Sequence, residues 1–213
     1  FKACAFGVFV SLFYNIANEI GVDPSPYTVA LRDYITNRER YRISITKELY
    51  YDENTLDILQ PQIKPSDVKK SIGYTRIKTA FTAMGFGARA VAGYYPHKDG
   101  YTKTALTGIF GNDKEEAQSF LSHPFVAKIV TELKEVTNVI LEYYKQYDPT
   151  MEIIKGNPLE ATNKAGKLAH IYQSHEATLL QMLIDAADNN ALLLLHDGIA
   201  TRKKIPNDLS LIH

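Results

Sequence analysis

The sequence predicts an α+β fold that is mostly helical with a small antiparallel sheet, and three observations support this. Apolar residues recur at three- to four-residue intervals over long stretches such as 125–147, which is typical of helices. Two short apolar runs flank His-Asp-Gly within 191–202, a pattern typical of a β-hairpin. Hydrophobic residues make up 45% and charged residues 23% of the 213 positions, which excludes a disordered or low-complexity chain.

The first two predicted helices differ in character. Residues 6–20 are apolar nearly all round and predict a buried helix, which Gly21 and the prolines at 24 and 26 end. Residues 27–49 carry many charges and predict an exposed helix.

A third helix is predicted to begin at Ser66 as its N-cap and to run to about Met84, where Gly85 and Gly87 end it. The glycine-rich stretch 88–111 predicts irregular or hairpin structure.

The second half of the chain predicts more helix and then the small sheet. Asn112 is expected to cap a short acidic helix, 125–147 to form a long amphipathic helix, and 163–187 a further one. Strands at 191–195 and 199–202 then complete the hairpin.

Charge is balanced overall but segregated along the chain. Lys+Arg and Asp+Glu both number 24, which argues against a uniformly basic nucleic-acid coat protein. From 64 to 98, however, seven basic residues face one acid, a local net charge of +6. This basic stretch predicts a phosphate-binding surface, with a simply solvated helix face as the alternative.

The N-terminus and the cysteine content exclude several classes of protein. The single Cys4 excludes an internal disulfide framework and a cysteine zinc site, and it suits a reducing compartment. The apolar stretch 1–14 is shorter than the roughly 20 residues that span a bilayer, and it lacks the pattern of a signal peptide. Because the chain starts with Phe1, we expect it to be a piece of a longer polypeptide.

Three groups of residues could carry chemistry. The first is the predicted hairpin turn, where a rigid carboxylate at Asp197 would suit a Mg²⁺ ion. The alternative is an ordinary Asp-Gly turn between two strands.

The second group is Lys78 with Phe86 and Gly87. Eight residues are a little over two helical turns, so the cation and the ring lie near one face and could grip a nucleoside triphosphate. The alternative is an amphipathic helix in which Phe81 and Phe86 belong to the core.

The third group lies in the stretch 171–180. Gln173 and Glu176 share one side of the predicted helix beside an apolar stripe, and such a helix could probe the edge of a base pair. The alternative is a set of solvated polar residues.

Together these groups resemble the polymerase superfamily that joins family A DNA polymerases to single-subunit phage and mitochondrial RNA polymerases. Lys78, Phe86 and Gly87 match motif B, a lysine followed after seven residues by an aromatic residue and glycine. Leu-Leu-His196-Asp197-Gly resembles motif C, and 172–177 is similar to the helix that precedes motif C.

The resemblance implies a nucleotide-binding role for the first of these motifs. Lys78 would bind the incoming triphosphate, with Tyr74 or Arg76 nearby. Phe86 would stack near the nascent base pair, and Gly87 would leave room for the template base.

The resemblance also implies a catalytic role for the hairpin. Asp197 and an aspartate upstream of Phe1 would hold two Mg²⁺ ions for phosphoryl transfer, and His196 would orient the strand terminus. Gln173 would touch the minor groove or the template strand.

The sequence departs from the family pattern at three places. Tyr74 stands where motif B has an arginine, with Arg76 and Lys70 as neighbouring substitutes. Phe86 replaces the more common tyrosine, which leaves the choice of sugar open. The aspartate of motif A is missing, and 1–7 resembles the segment that follows it.

We therefore expect the fingers and palm of a template-directed nucleotidyltransferase, most like a single-subunit phage-type RNA polymerase. Residues 1–65 would follow motif A, 66–160 would form the fingers and 161–213 the palm. Its partners would be a template, a nascent strand, nucleoside triphosphates and the polypeptide that supplies the upstream aspartate, in the cytoplasm or a virion.

Two alternatives remain open. Gln173 favours a family A-like DNA polymerase, whereas the missing aspartate favours a non-catalytic fragment that binds nucleic acid or a partner chain.

Overall fold

A computed structural model describes residues 5–51, 63–98, 100–147, 153–154, 157–158, 164–186, 191–195 and 198–201. In these residues the chain is mostly helical, and its strands form two-stranded antiparallel sheets. The predicted α+β class is therefore confirmed.

The helices and strands are numbered separately, each in chain order. The helices are α1 (Ala5–Glu19), α2 (Val29–Tyr50), α3 (Pro65–Lys70), α4 (Ile72–Gly85), α5 (Ala105–Ile109), α6 (Lys114–Ser122), α7 (Pro124–Tyr147) and α8 (Lys164–Ala186). The strands are β1 (Tyr94–His97), β2 (Gly100–Lys103), β3 (Ile153–Ile154), β4 (Asn157–Pro158), β5 (Ala191–Leu195) and β6 (Gly198–Thr201).

The core lies where α1, α2, α4 and α7 pack together, and aromatic rings run through its centre. The Tyr34 and Phe81 rings stack with centroids 4.3 Å apart. Phe6 meets Tyr34 edge to face at 5.6 Å, and Phe120 meets Phe81 in the same way at 5.4 Å. These four rings tie α1, α2, α4 and α6 into one core, and edge-to-face pairs add to the stabilisation from burial.

The prediction of an exposed helix over 27–49 is wrong for one side of α2. Leu31, Tyr34 and Ile45 are fully buried, and Arg42 is buried with them. These positions are three or eight residues apart, which puts them on one side of the helix, and the many surrounding charges conceal this stripe in the sequence.

The first turn of α2 is capped from a distant part of the chain. Thr28, at the N-cap, makes no side-chain capping bond. Instead the backbone N–H groups of Ala30 and Leu31 each donate to one carboxylate oxygen of Glu132 in α7, both at 2.9 Å. A carboxylate at a helix N-terminus also interacts favourably with the helix dipole, so Glu132 holds α2 against α7.

The prediction of an N-cap at Ser66 is wrong. Pro65 opens the short α3, since proline suits the first helical position and needs no hydrogen-bond acceptor for an N–H, and Ser66 lies inside that helix. The backbone is extended at Ser71, which caps α4 instead: its Oγ accepts from the Tyr74 N–H at 3.1 Å.

The prediction that Asn112 caps the acidic helix is also wrong, by one residue. Asn112 has a φ of 71°, a left-handed conformation that asparagine tolerates well. The N-cap of α6 is Asp113, whose Oδ1 accepts from the N–H groups of Glu115 at 2.8 Å and Glu116 at 3.0 Å.

Two of the small sheets are hairpins that bear on function. The predicted hairpin structure within 88–111 is confirmed, as β1 pairs with β2. The two strands predicted near the C-terminus are also confirmed, as β5 pairs with β6 with Leu195 opposite Gly198. Strand β6 packs on α8, which joins this sheet to the helical part.

Candidate functional site

The predicted site residues of helix α4 lie on different sides of the helix. Ile77, Phe81 and Met84 recur every three to four residues and are buried against the core. Tyr74 begins this buried side, whereas Lys78 lies on the exposed side of the same helix. The residues of the motif B pattern therefore do not all face one ligand.

Tyr74 is directed into the protein. Its side chain is 7% exposed, and its hydroxyl donates to both carboxylate oxygens of Glu39 in α2, at 3.0 and 2.9 Å. Burial, and then the Glu39 carboxylate, raise the pKa of the Tyr74 hydroxyl. Lys69 also bonds Glu39 at 2.8 Å, and this bond holds the pKa of Glu39 below its ordinary value.

Arg76 is engaged with a carboxylate of α6. Its Nη1 donates to both oxygens of Glu116, at 2.9 and 2.7 Å, and the Tyr50 hydroxyl donates to the same carboxylate. The Glu116 hydrogen bond is the main cause that raises the pKa of Arg76. Because both side chains of the ion pair are largely buried, at 25% and 20% exposure, the pair joins α4 to α6.

The environment of Lys78 differs from that of Tyr74 and Arg76, which both bond carboxylates. Its side chain is exposed, and among the described residues no carboxylate lies within ion-pair distance of its ammonium group. A cation on a helix surface without such a partner is available for an anionic ligand.

The turn that ends α4 rests on α8. Phe86 is 40% exposed, and its ring meets Tyr172 edge to face with centroids 5.1 Å apart. Gly87 has a φ of 85°, and a Cβ there would lie 2.8 Å from the Cα of Ala165. Only glycine meets both requirements, so this turn needs Gly87 for its contact with the protein itself.

Helix α8 brings part of the third predicted group, the stretch 171–180, to this turn. Gln173 follows Tyr172, the partner of Phe86, in the sequence and is exposed. Further along, His175 Nε2 and the Tyr144 hydroxyl of α7 share a hydrogen bond of 2.6 Å, which holds α8 on α7. Burial lowers the pKa of His175, so its neutral form is favoured.

A cavity of about 140 Å³ lies behind Phe86. Among the residues that line it, Arg42 is the cation, and its Nε donates to the Tyr34 hydroxyl at 2.9 Å. Phe6 and Tyr172 form part of the apolar wall. The sequence analysis did not identify Arg42, and the signal that could have found it is its position in the buried stripe of α2.

The predicted catalytic pair lies outside the described residues. His196 and Asp197 fall between β5 and β6, and Phe1 precedes the first described residue. Among the described ranges there is no group of three or more His, Cys, Asp or Glu side chains that could hold a metal ion. The predicted Mg²⁺ ligand Asp197 therefore stays a prediction.

The structure thus brings together Phe86, Gly87 and the α8 segment that contains Gln173, with Lys78 about two turns earlier on α4. It directs Tyr74 and Arg76 elsewhere, onto carboxylates of α2 and α6.

Comparison with known proteins finds no match to a family model, a curated protein or a solved structure. In the part of the chain that the structure describes, the helices are too short or too polar to cross a membrane.

Proposed function

We propose that the chain is the fingers-and-palm part of a template-directed nucleotidyltransferase of the single-subunit phage RNA polymerase type. Lys78 binds the triphosphate of the incoming nucleotide, and Phe86 packs beside the base pair being formed. Gln173 contacts the template or the minor groove. Such a protein works in the cytoplasm or a virion.

The observation that carries the proposal is the contact between the α4 turn and α8. Two motifs more than 80 residues apart in sequence, Phe86-Gly87 and 172–173, meet through the Phe86–Tyr172 ring contact. Helix α8 also packs on β6, the strand that follows Asp197. Lys78 lies eight residues before Phe86, about 12 Å along a helix axis, and the proposed nucleotide spans this interval with its triphosphate at Lys78.

The surroundings of Lys78 support its assignment to a phosphate group. Arg76 and Lys69 already bind Glu116 and Glu39, so their charges are largely satisfied within the protein. Lys78 is exposed, and a triphosphate offers its ammonium group the charge-assisted hydrogen bonds that no carboxylate of the described residues provides. When bound, Mg²⁺ ions would supply the Lewis acidity for phosphoryl transfer at Asp197.

The family A-like DNA polymerase is favoured by one observation. Gln173, the residue that points to this alternative, is exposed on α8 and directly follows Tyr172, the residue that contacts Phe86. The substitution Phe86→Tyr separates the two polymerases, because a hydroxyl near the sugar should shift selection toward ribonucleotides. Unchanged selection would leave Phe86 as a packing residue.

Nucleotide binding tests the role of Lys78. In the presence of a primed template and Mg²⁺, Lys78→Ala should weaken binding of a fluorescent nucleoside triphosphate about tenfold or more, the effect of losing one charge-assisted bond. Template affinity should stay nearly unchanged. Lys128→Ala, at an exposed lysine of α7, is the matched control and should bind nucleotide normally. Equal affinities for both variants would contradict the assignment.

Strand extension tests the activity, in the complete polypeptide that contains this chain. Wild type should incorporate labelled nucleotides on a primed template, and Asp197→Asn should abolish incorporation while the protein still folds. Template binding without incorporation by wild type would instead favour the non-catalytic fragment.

A further inference from the structure

The hairpin β1–β2 exposes an unusual group of aromatic side chains. Tyr94 is 51%, Tyr95 46% and Tyr101 79% exposed. Of the five large aromatic residues that are exposed among the described residues, Phe86 and these three lie within sixteen positions of one another. Isolated exposed aromatic residues are common on surfaces, whereas a cluster of them indicates a binding surface.

The register of the hairpin places two of the rings on one face. Tyr94 lies opposite Lys103, and Pro96 lies opposite Tyr101. Side chains of directly opposite residues share a face, and alternate residues of a strand share it too. Tyr94, Pro96, Tyr101 and Lys103 therefore form one face, which we call the tyrosine face.

The base of this hairpin is anchored, although its rings are exposed. The Gly93 N–H donates to Thr107 Oγ1 at 2.7 Å, and the Thr104 N–H donates to the Gly93 carbonyl at 2.9 Å. The Tyr94 hydroxyl donates to the Asn112 carbonyl at 3.0 Å. These bonds fix the base of the hairpin and the Tyr94 ring, so the strand that presents Tyr101 is held in place before a ligand binds.

The charge beside the rings is positive. Lys103 Nζ donates to the neutral Asn112 Oδ1 at 2.6 Å, so its charge is held in place without being neutralised. Lys98, next to the hairpin tip, and Arg89, just before β1, are both exposed. With Asp99 as the one acid of the stretch 89–103, the net charge of that stretch is +2.

We propose that the tyrosine face binds single-stranded nucleic acid, with an unpaired base stacked on Tyr101 and the neighbouring phosphates near Lys103. Flat rings beside basic residues are the combination that single strands require, because every base offers a face for stacking and every nucleotide a phosphate. The biological ligand would be the unpaired template of the proposed polymerase, and to that extent the inference rests on the proposed function.

The position of the hairpin supports this ligand over a protein partner. The hairpin follows the Phe86-Gly87 turn after six residues, and Arg89 lies in the connection. The seven residue steps from Gly87 to Tyr94 span at most about 25 Å, so a single strand of several nucleotides that starts at this junction can reach the tyrosine face. A single strand carries a phosphate at every nucleotide and so meets basic residues along its whole length, whereas a protein partner would need acidic residues at the same spacing.

The test is the binding of a labelled 20-nucleotide oligo(dT) to the 213-residue chain, followed by fluorescence anisotropy at several salt concentrations. Tyr101→Ala should weaken binding at least about fivefold, since stacking contributes about 1–3 kcal/mol per base. Tyr101→Phe keeps the ring and should bind normally. Lys103→Gln should reduce the slope of log affinity against log salt by about 0.7, the value for one phosphate of a single strand.

Controls separate a stacking site from general attraction. Tyr27→Ala, at a tyrosine of 44% exposure outside the hairpin, should bind oligo(dT) normally. Duplex DNA, whose bases are already stacked, should lose little affinity for Tyr101→Ala. An equal loss for duplex, an equal loss for Tyr27→Ala, or unchanged oligo(dT) binding by Tyr101→Ala would overturn the inference.

The outcomes also separate this inference from the proposed function. Normal oligo(dT) binding by Tyr101→Ala, together with weak nucleotide binding by Lys78→Ala, would remove the tyrosine face and leave the polymerase proposal intact. Wild type that binds neither oligo(dT) nor nucleotide at low salt would overturn both.

Discussion

The two ends of α4 are held by different chemistry. At its beginning, Tyr74 and Arg76 donate hydrogen bonds to carboxylates of α2 and α6. At its end, Phe86 and Gly87 meet α8 through ring contact and close packing, and Lys78 is exposed between these two regions. The difference teaches how to separate the residues of one motif. Tyr74 and Arg76 bond carboxylates of the protein and serve the fold, whereas Lys78, which has no carboxylate partner among the described residues, remains available to a ligand.

The largest expected effect is at the end of α4, where the contact is steric. Gly87→Ala would place a Cβ 2.8 Å from the Ala165 backbone and force alanine into a left-handed conformation. We expect the free energy of unfolding in urea to fall by about 3 kcal/mol.

The matched control for that substitution is Gly21→Ala. Gly21 also has a positive φ, 71°, but a Cβ there meets nothing within 4 Å, so only the conformational strain remains. A loss at Gly87 no greater than at Gly21 would mean that the contact with Ala165 is not what holds this end.

The next effect is at the beginning of α4, where the contact is ionic. Arg76→Met should lower the free energy of unfolding by about 2 kcal/mol, because Glu116 would remain largely buried without its cation. The double variant Arg76→Met/Glu116→Gln should lose less than the two single losses added together. Strict additivity would show that this ion pair contributes nothing specific.

A smaller, pH-dependent effect is expected in α8, the helix that receives the end of α4, because its His175 bonds Tyr144 of α7. Because the pKa of His175 is lowered in the folded protein, the stability it supports is fully present above its unfolded pKa of 6.5 and is lost as the pH falls through the folded pKa. Urea unfolding between pH 7.5 and 5 should show this decline. His175→Gln should make it shallower, and an unchanged slope would exclude His175 as its source.

The smallest effect on stability is expected between the two ends. Lys78→Ala should change the free energy of unfolding by no more than about 0.5 kcal/mol, as for other exposed positions. Urea denaturation beside Arg76→Met measures the contrast directly. A loss near 2 kcal/mol would place Lys78 among the residues that serve the fold.

Local patterns in the sequence predicted most of the helices and two of the three small sheets of the described residues, β1–β2 and β5–β6, but not β3–β4. The 124–147 helix is the clearest example, since Val126, Ile129, Leu133, Val136 and Ile140 repeat at helical spacing and are all buried. The misplaced caps have local causes. At Ser66 the preceding proline already opens the helix, and at Asn112 the next residue is a stronger acceptor for the first N–H groups.

The candidate site was less predictable because its partners are distant in sequence. The spacing of Lys78, Phe86 and Gly87 could be recognised, as all three lie within ten residues. Glu39 and Glu116, which bind Tyr74 and Arg76, lie 35 and 40 residues from them. No local pattern identifies such pairs, because they form only when the helices pack.

The capping of α2 by Glu132 has a consequence for the order in which the chain folds. The first turn of α2 receives its anion from a residue 102 positions after Ala30, so during synthesis most of the chain must emerge before that turn is complete. Until then the N–H groups of Ala30 and Leu31 exchange with water, and the helix frays from this end. Assembly of α7 on α2 is therefore the step that finishes the N-terminal helices, and such long-range contacts slow folding.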